Sequence, residues 1–171
     1  MINESTVEAA KGGDRQALRS IVDAYRDPLF RYSYRIVGNA TDAEDVLQET
    51  FVRMISGLRE LPPGVNLRAW LFKIATNLSI DRKREAGRPT PPAPAAPPGP
   101  GATAESRELV RAAEQALAQL PEKQRAALVL RVIEGFPYRT IADILDTTEN
   151  NARWYLFEAR RQMRQSINGN L

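Results

Sequence analysis

The sequence predicts an all-α protein: two small helical domains joined by a Pro-rich linker. Apolar residues recur at helical spacing on both sides of the chain's middle, and no stretch alternates with the period of two that a half-buried strand needs. Between the two halves, residues 86–104 read Ala-Gly-Arg-Pro-Thr-Pro-Pro-Ala-Pro-Ala-Ala-Pro-Pro-Gly-Pro-Gly-Ala-Thr-Ala, with seven of the chain's 12 prolines and no large apolar side chain. Such a segment cannot pack a core. As a polyproline II spacer it reaches roughly 50–60 Å, and a loop of that length inside one compact domain would be unusual.

The N-terminal domain, residues 1–85, reads as helices throughout. Gly12-Gly13 followed by Asp14 marks a helix end and a new N-cap. Pro28 is expected to start or kink a helix running through Leu29, Tyr32, Ile36 and Val37, which Gly38-Asn39 breaks. Thr41-Asp42-Ala43-Glu44 has the form of a capping box. The helix it opens is expected to bury Ala43, Val46, Leu47, Phe51, Met54, Ile55 and Leu58, and Pro62-Pro63-Gly64 stops it. The following helix has an apolar stripe of Leu67, Leu71, Ile74 and Leu78. A second stripe beside it carries Asn66, Trp70, Lys73, Asn77 and Arg84. An aromatic ring among cations and amides is what stacking on unpaired bases and neutralising phosphates requires, although a partly packed tryptophan on a wet face has the same pattern.

In the C-terminal domain, residues 105–171, a helix over about 105–119 is expected to face Leu109, Ala113, Ala116, Leu117 and Leu120 inward. Pro121 begins the next helix and Gly135 ends it. Pro137 or Tyr138 starts a short helix burying Ile141, Ala142 and Leu145, and after a tight turn Thr147 or Thr148 caps the last. That last helix turns Ala152, Leu156, Ala159 and Met163 to the core. Its opposite arc shows Asn150, Arg153, Trp154, Phe157, Glu158, Arg161 and Arg164. Two short helices at a four-residue turn, the second presenting Asn, Arg and aromatic side chains, are how a protein offers one helix to the major groove of DNA.

Composition narrows the chemistry. With no Cys and no His among 171 residues, disulfides, thiolate metal sites and the commonest general base are unavailable, so neither a metal, a cofactor nor catalysis is expected. The formal charge of +3 is modest and suits nucleic-acid binding only where basic residues concentrate. The polar N-terminus lacks a secretory signal and no apolar run is long enough to span a membrane. A cytoplasmic location without membrane insertion is therefore expected.

Three segments in order resemble the extracytoplasmic-function (ECF) sigma factors, the small two-domain members of the bacterial sigma-70 family. Asp42 to Arg53 is similar to their region 2.1–2.2, Leu67 to Arg82 to regions 2.3–2.4, and Leu120 to Arg164 to region 4. The resemblance implies a subunit that binds core RNA polymerase, directs it to promoters and helps melt the DNA. Asp42, Glu44, Asp45, Gln48 and Glu49 would then meet a basic surface of the polymerase, a complementarity that sets register and on-rate more than affinity. Asn66, Arg68, Trp70, Lys73, Asn77, Arg82, Lys83 and Arg84 would meet the minus-ten element, duplex and melted, with the loop over 59–67 where the family captures an extruded base. Tyr138, Arg139, Asn150, Asn151, Arg153, Trp154 and Phe157 would face the minus-thirty-five element. Arg160, Arg161 and Arg164, further along, would hold its phosphates. Asp146 stands in the turn where the family commonly has glycine, and Trp154-Tyr155 where small and basic residues are frequent. An anti-sigma factor is an expected partner, and the free chain is expected to be a monomer.

Two readings compete. A helix-turn-helix regulator that never touches polymerase explains residues 120–165 but leaves the Trp70/Lys73/Asn77 stripe and the acidic helix unused. An enzyme acting on nucleic acid would need carboxylates clustered to hold a metal, and the one dense acidic set, Asp42, Glu44, Asp45 and Glu49, has the spacing of a helix face.

Overall fold

The computed structural model describes residues 2–87, 101 and 103–169; the extended linker expected over 86–104 lies largely outside the described residues. Among these described residues eight α-helices follow one another: α1 (Glu4–Lys11), α2 (Arg15–Val37), α3 (Ala40–Gly57), α4 (Leu67–Ala86), α5 (Ala104–Gln119), α6 (Glu122–Val132), α7 (Tyr138–Ile144) and α8 (Glu149–Gly169), with one 3-10 turn at Leu58–Glu60 after α3. Among the described residues there is no strand. Helices α2, α3 and α4 pack mutually, with α1 across α2, and α8 packs on α5, α6 and α7.

Local chemistry sets several ends as expected. Gly12 closes α1, Gly13 takes a φ of +90°, and the Asp14 carboxylate accepts from the Ala17 amide to open α2. Gly38, at φ +88°, ends α2 in the left-handed region that glycine adopts without strain. Two expectations need correction here. Pro28 does not start a helix: α2 is continuous over 23 residues with Pro28 inside it, held by the burial of Ile21, Leu29, Tyr32 and Ile36 on both sides of the proline. The Thr41 capping box does not form. Asn39 is the N-cap of α3, its Oδ1 accepting from the Asp42 amide while its Nδ2 donates to the Asp42 carboxylate, each at 2.8 Å, so the helix begins before Thr41.

The first core is built on Ile21, Leu29, Tyr32, Ile36, Met54, Leu71 and Phe72, all fully buried. The register of α4 differs from the expected stripe: Leu67 and Leu71 are buried as predicted, but Phe72, Ala75, Thr76, Ser79 and Ile80 complete the buried face, with Ile74 and Leu78 only half-buried. A polar anchor explains the shift. The Tyr32 hydroxyl lies 2.7 Å from Thr76 Oγ1, which itself donates to the Phe72 carbonyl, and burial holds the Tyr32 phenol well above its ordinary pKa. Ile55 and Leu109, expected inside, are more than half exposed.

Tyr32→Phe keeps the ring and its edge contact with Phe72 but removes this bond. It should cost about 1 kcal/mol, a fall in Tm of about 2–4 °C for a chain of this size, measurable by thermal denaturation.

The second group of helices does not stand apart from the first. Phe136, just beyond α6, sets its ring 5.3 Å from that of Phe72, so one apolar cluster runs from α2–α4 into α6–α8. Arg125 of α6, fully buried, donates from Nη1 to the carbonyl of Ile36 at 2.8 Å, and from Nη2 to the carbonyls of Leu120 and Ala118. These oxygens lie at the C-terminal ends of α2 and α5, where helix carbonyls have no intrahelical partner and where a cation suits the helix dipole. One guanidinium thus ties off two helices.

Candidate nucleic-acid interface

Helices α7 and α8 form the expected helix-turn-helix. Pro137 precedes α7, and Ile141, Ala142, Ile144 and Leu145 are buried. Thr148 caps α8, its Oγ1 accepting from the Asn151 amide and its carbonyl from the Ala152 amide. Ala152, Leu156 and Ala159 are buried, and Met163 half-buried. Between the helices, Asp146 adopts φ +49°, the one non-glycine residue with positive φ among those described.

The other side of α8 is open. Asn150, Asn151, Arg153, Arg160, Arg161 and Arg164 are exposed, and Trp154 and Phe157 are 52% and 60% exposed. Trp154 does not insert against a neighbouring helix; its ring lies 5.6 Å from that of Tyr155, the next residue. The guanidinium of Arg153 sits 4.2 Å above the Tyr138 ring and pairs with Glu149 at 2.6 Å. Arg131 covers the same ring at 4.9 Å. Arg161 pairs with Glu158 at 2.7 Å, holding that carboxyl below its ordinary pKa. Asn151 donates to Thr147 Oγ1, and Arg139 is exposed. Exposed ion pairs of this kind are worth little in water, so phosphates or base edges can displace them.

The expected residues of α4 do not share one free face. Asn66 is the N-cap, its Oδ1 accepting from the Ala69 amide. Trp70 is half-buried against α3: a Cβ built on Gly57 would lie 3.2 Å from its Cζ2. Arg82 turns to α3, 3.1 Å from Asp45 and 4.0 Å from Asp42. Arg68 reaches Glu134 at 2.8 Å and stacks over Phe136 at 4.2 Å, and Lys73 reaches Asp146 at 2.8 Å. Asn77 and Arg84 are exposed.

Lys83 is half-buried, and burial together with nearby Arg125 lowers its pKa to about 8. In the unfolded chain a lysine titrates near 10.4, so between these values the unfolded state binds more protons and stability rises with pH. Wild type should therefore gain stability relative to Lys83→Met from pH 7 to pH 10 in parallel urea titrations.

On α3, Glu44, Gln48 and Glu49 are exposed, Asp42 and Asp45 half-buried, and Glu49 pairs with Arg53. Sequence reasoning missed two neighbours: Val52 and Ile55, each 57% exposed, give this acidic face an apolar edge. Among the described residues no group of acidic side chains could hold a metal ion, and no helix is long and apolar enough to cross a membrane. It also missed a groove of about 600 Å³ between α5, α6 and α8, lined by Val110, Leu117, Val132, Ile133 and Met163 and bordered by Arg35, Arg160 and Arg164.

Residues 21–89 match Sigma-70 region 2 and residues 111–163 match Sigma-70, region 4. The ECF RNA polymerase sigma factor SigW of Bacillus subtilis is 28% identical over 98% of this chain and 97% of its own length. The ECF RNA polymerase sigma factor EcfG of Rhodopseudomonas palustris is 34% identical over 75% of this chain and 72% of its own length. Among solved structures, CnrH in complex with the cytosolic domain of CnrY superposes with a TM-score of 0.78 at 21% identity, covering both chains fully. RpoE in complex with the anti-sigma factor NepR from Bartonella quintana gives 0.75 at 21% identity over 88% of this chain and 96% of that one. At those identities the two structures speak for the fold.

Proposed function

The chain belongs to the ECF sigma factors of the sigma-70 family, and from that premise we propose how its surfaces divide the work of starting transcription. It is an RNA polymerase sigma factor. We assign residues 1–85 to region 2, 86–104 to the tether and 105–171 to region 4.

Region 4 reads the minus-thirty-five element through α8. The observation that carries this is the pair of large aromatic side chains, Trp154 and Phe157, left exposed beside Arg153 and Arg161. Arg pairs bidentately with guanine and Asn with adenine, so Asn150, Asn151 and Arg153 supply base readout near the start of α8, while Trp154 and Phe157 offer apolar contact to thymine methyls. Tyr138, ringed by Arg131 and Arg153, aims Arg153, and Arg139 lies beside it on α7. Arg160, Arg161 and Arg164 hold phosphates and fix position.

Region 2 takes the minus-ten element on α4. Melting costs about 1–2 kcal/mol per base-pair step; stacking returns about 1–3 kcal/mol per captured base. Trp70 supplies the ring, Arg68, Lys73, Lys83 and Arg84 the charge, Asn77 an amide and Asn66 the cap that starts the helix. Arg82 adds a phosphate contact where DNA displaces its part-exposed pairs with Asp42 and Asp45. The acidic face of α3, with Val52 and Ile55 at its edge, is the dock for core polymerase.

We read the chain as a non-enzymatic, cytoplasmic subunit without a cofactor, a monomer when free. The solved relatives bound to CnrY and NepR support an anti-sigma partner, and the groove over Val132 and Ile133 would take an apolar helix whose acidic flank pairs with Arg35, Arg160 and Arg164. Binding to purified core polymerase tests the docking assignment. The full chain is expected to bind one to one, and Glu44→Lys with Glu49→Lys to bind at least about tenfold more weakly; failure of the wild-type chain to bind core overturns it.

A further inference from the structure

We propose that Glu158 is a specificity residue of α8, its carboxylate accepting from the exocyclic amine of one cytosine in the minus-thirty-five element and rejecting the other bases. This rests on the assignment of α8 to the major groove.

Helix α8 carries four arginines and two acids. Glu149 stands in the first turn, where the helix dipole favours an anion, and pairs with Arg153. Glu158 has no such local reason. It lies in the middle of the helix, one turn after exposed Trp154 and one turn before exposed Arg161. A carboxylate there, facing a polyanion, repels the phosphates around it and lowers affinity for every sequence unless a base supplies a donor.

The carboxylate is set up to accept. Arg161 donates from Nη2 to Oε2 at 2.7 Å, and from Nε to Oε2 and Oε1 at 3.2 and 3.3 Å. This pairing holds the carboxyl below its ordinary pKa, so at neutral pH it is ionised and has acceptors only. Oε1 takes just the longest of these contacts and keeps lone pairs for a second donor. Arg161 keeps Nη1 for a phosphate, so the pair survives on DNA with both partners employed.

The chemistry of the groove then chooses the base. Guanine shows O6 and N7 and thymine shows O4, all acceptors that a carboxylate repels. Adenine has an amine, but its N7 acceptor lies beside it. Cytosine alone shows the N4 amine without an acceptor on its own edge. Rejection of three bases by repulsion is how a charge of the unfavourable sign yields specificity.

The full chain, assembled with purified core polymerase, is offered random-sequence duplex DNA, and the retained fragments are sequenced for the base preference at each aligned position. Wild type should favour cytosine by about tenfold at one position of the upstream element, the scale of one base contact. Glu158→Gln should move that position alone to adenine, whose N6 and N7 suit an amide, and Glu158→Ala should leave it without a preference. Arg153→Ala should flatten a different position about two base-pair steps away, because five residues at about 1.5 Å each separate the two side chains by about 7.5 Å. Retention of every preference in both Glu158 variants, even with binding raised evenly by the lost negative charge, overturns the cytosine contact and leaves α8 as the reading helix. A position that depends on Glu158 but favours another base overturns it too. Preferences unmoved by Arg153→Ala as well overturn the assignment of α8, and the contact with it.

Discussion

Arg125→Met should destabilise the protein by about 3–5 kcal/mol, the scale seen when one partner of a buried charged contact is removed. Arg125 is fully buried, and burial lowers its pKa to about 10, so it stays cationic at neutral pH. Its guanidinium donates to the carbonyls of Ile36, Ala118 and Leu120. Methionine matches the volume of the stem but donates nothing, and each buried carbonyl left bare costs about 1–3 kcal/mol. Against a total of about 5–15 kcal/mol, that is enough to bring the chain near its unfolding threshold. Arg125→Lys, which keeps the charge but loses the planar fork, should fall between. Urea denaturation of the three proteins checks the order; a variant within 1 kcal/mol of wild type would show that this guanidinium is not what closes the ends of α2 and α5.

Reversing Arg153 and Arg161 together to Glu should lower affinity for the minus-thirty-five element by at least about 100-fold while leaving stability within about 1 kcal/mol. Each good contact of Arg to a base edge is worth about 1–3 kcal/mol, and a reversed charge near phosphate repels as well. The fold loses two ion pairs, to Glu149 and Glu158, worth a few tenths of a kcal/mol each, and the stacking of Arg153 on the Tyr138 ring, worth from about 0.5 kcal/mol at an exposed site. Gel-shift titration against duplex promoter DNA, with thermal denaturation alongside, separates loss of reading from loss of structure. The salt dependence should also flatten as phosphate contacts disappear.

These three arginines differ in how legible they are in the sequence. Arg153 and Arg161 stand on a helix whose apolar stripe, Ala152, Leu156 and Ala159, is strict enough to fix the opposite face from periodicity alone. Arg125 follows Glu122, Lys123 and Gln124 and reads as one more solvated charge; what buries it is a carbonyl 89 residues away, a contact no local pattern encodes. The same division runs through the chain. Asp14, Gly38, Pro137 and Thr148 act within one turn of backbone and were readable. Asn39 and Thr41 are both good N-caps, and their competition is decided by where Gly38 ends α2. The register of α4 slipped because its buried face is set by Tyr32, by α3 and by Phe136 at once, and Thr76 sits inside on the strength of a hydrogen bond from another helix. Arg82 follows the basic stripe in sequence, but its pairs with Asp42 and Asp45 of α3 lie outside any local pattern. Glu134 and Asp146 carried no sign of their partners on α4 at all.

Run-off transcription with purified core polymerase, this full chain and a library of genomic fragments tests the central assignment most directly. Transcripts should appear only when the chain is present, and the fragments that yield them should share two separate short elements, the upstream one lost as a requirement when Arg153 and Arg161 are reversed. Initiation that is indifferent to the chain, or selected fragments sharing no paired elements, would contradict it.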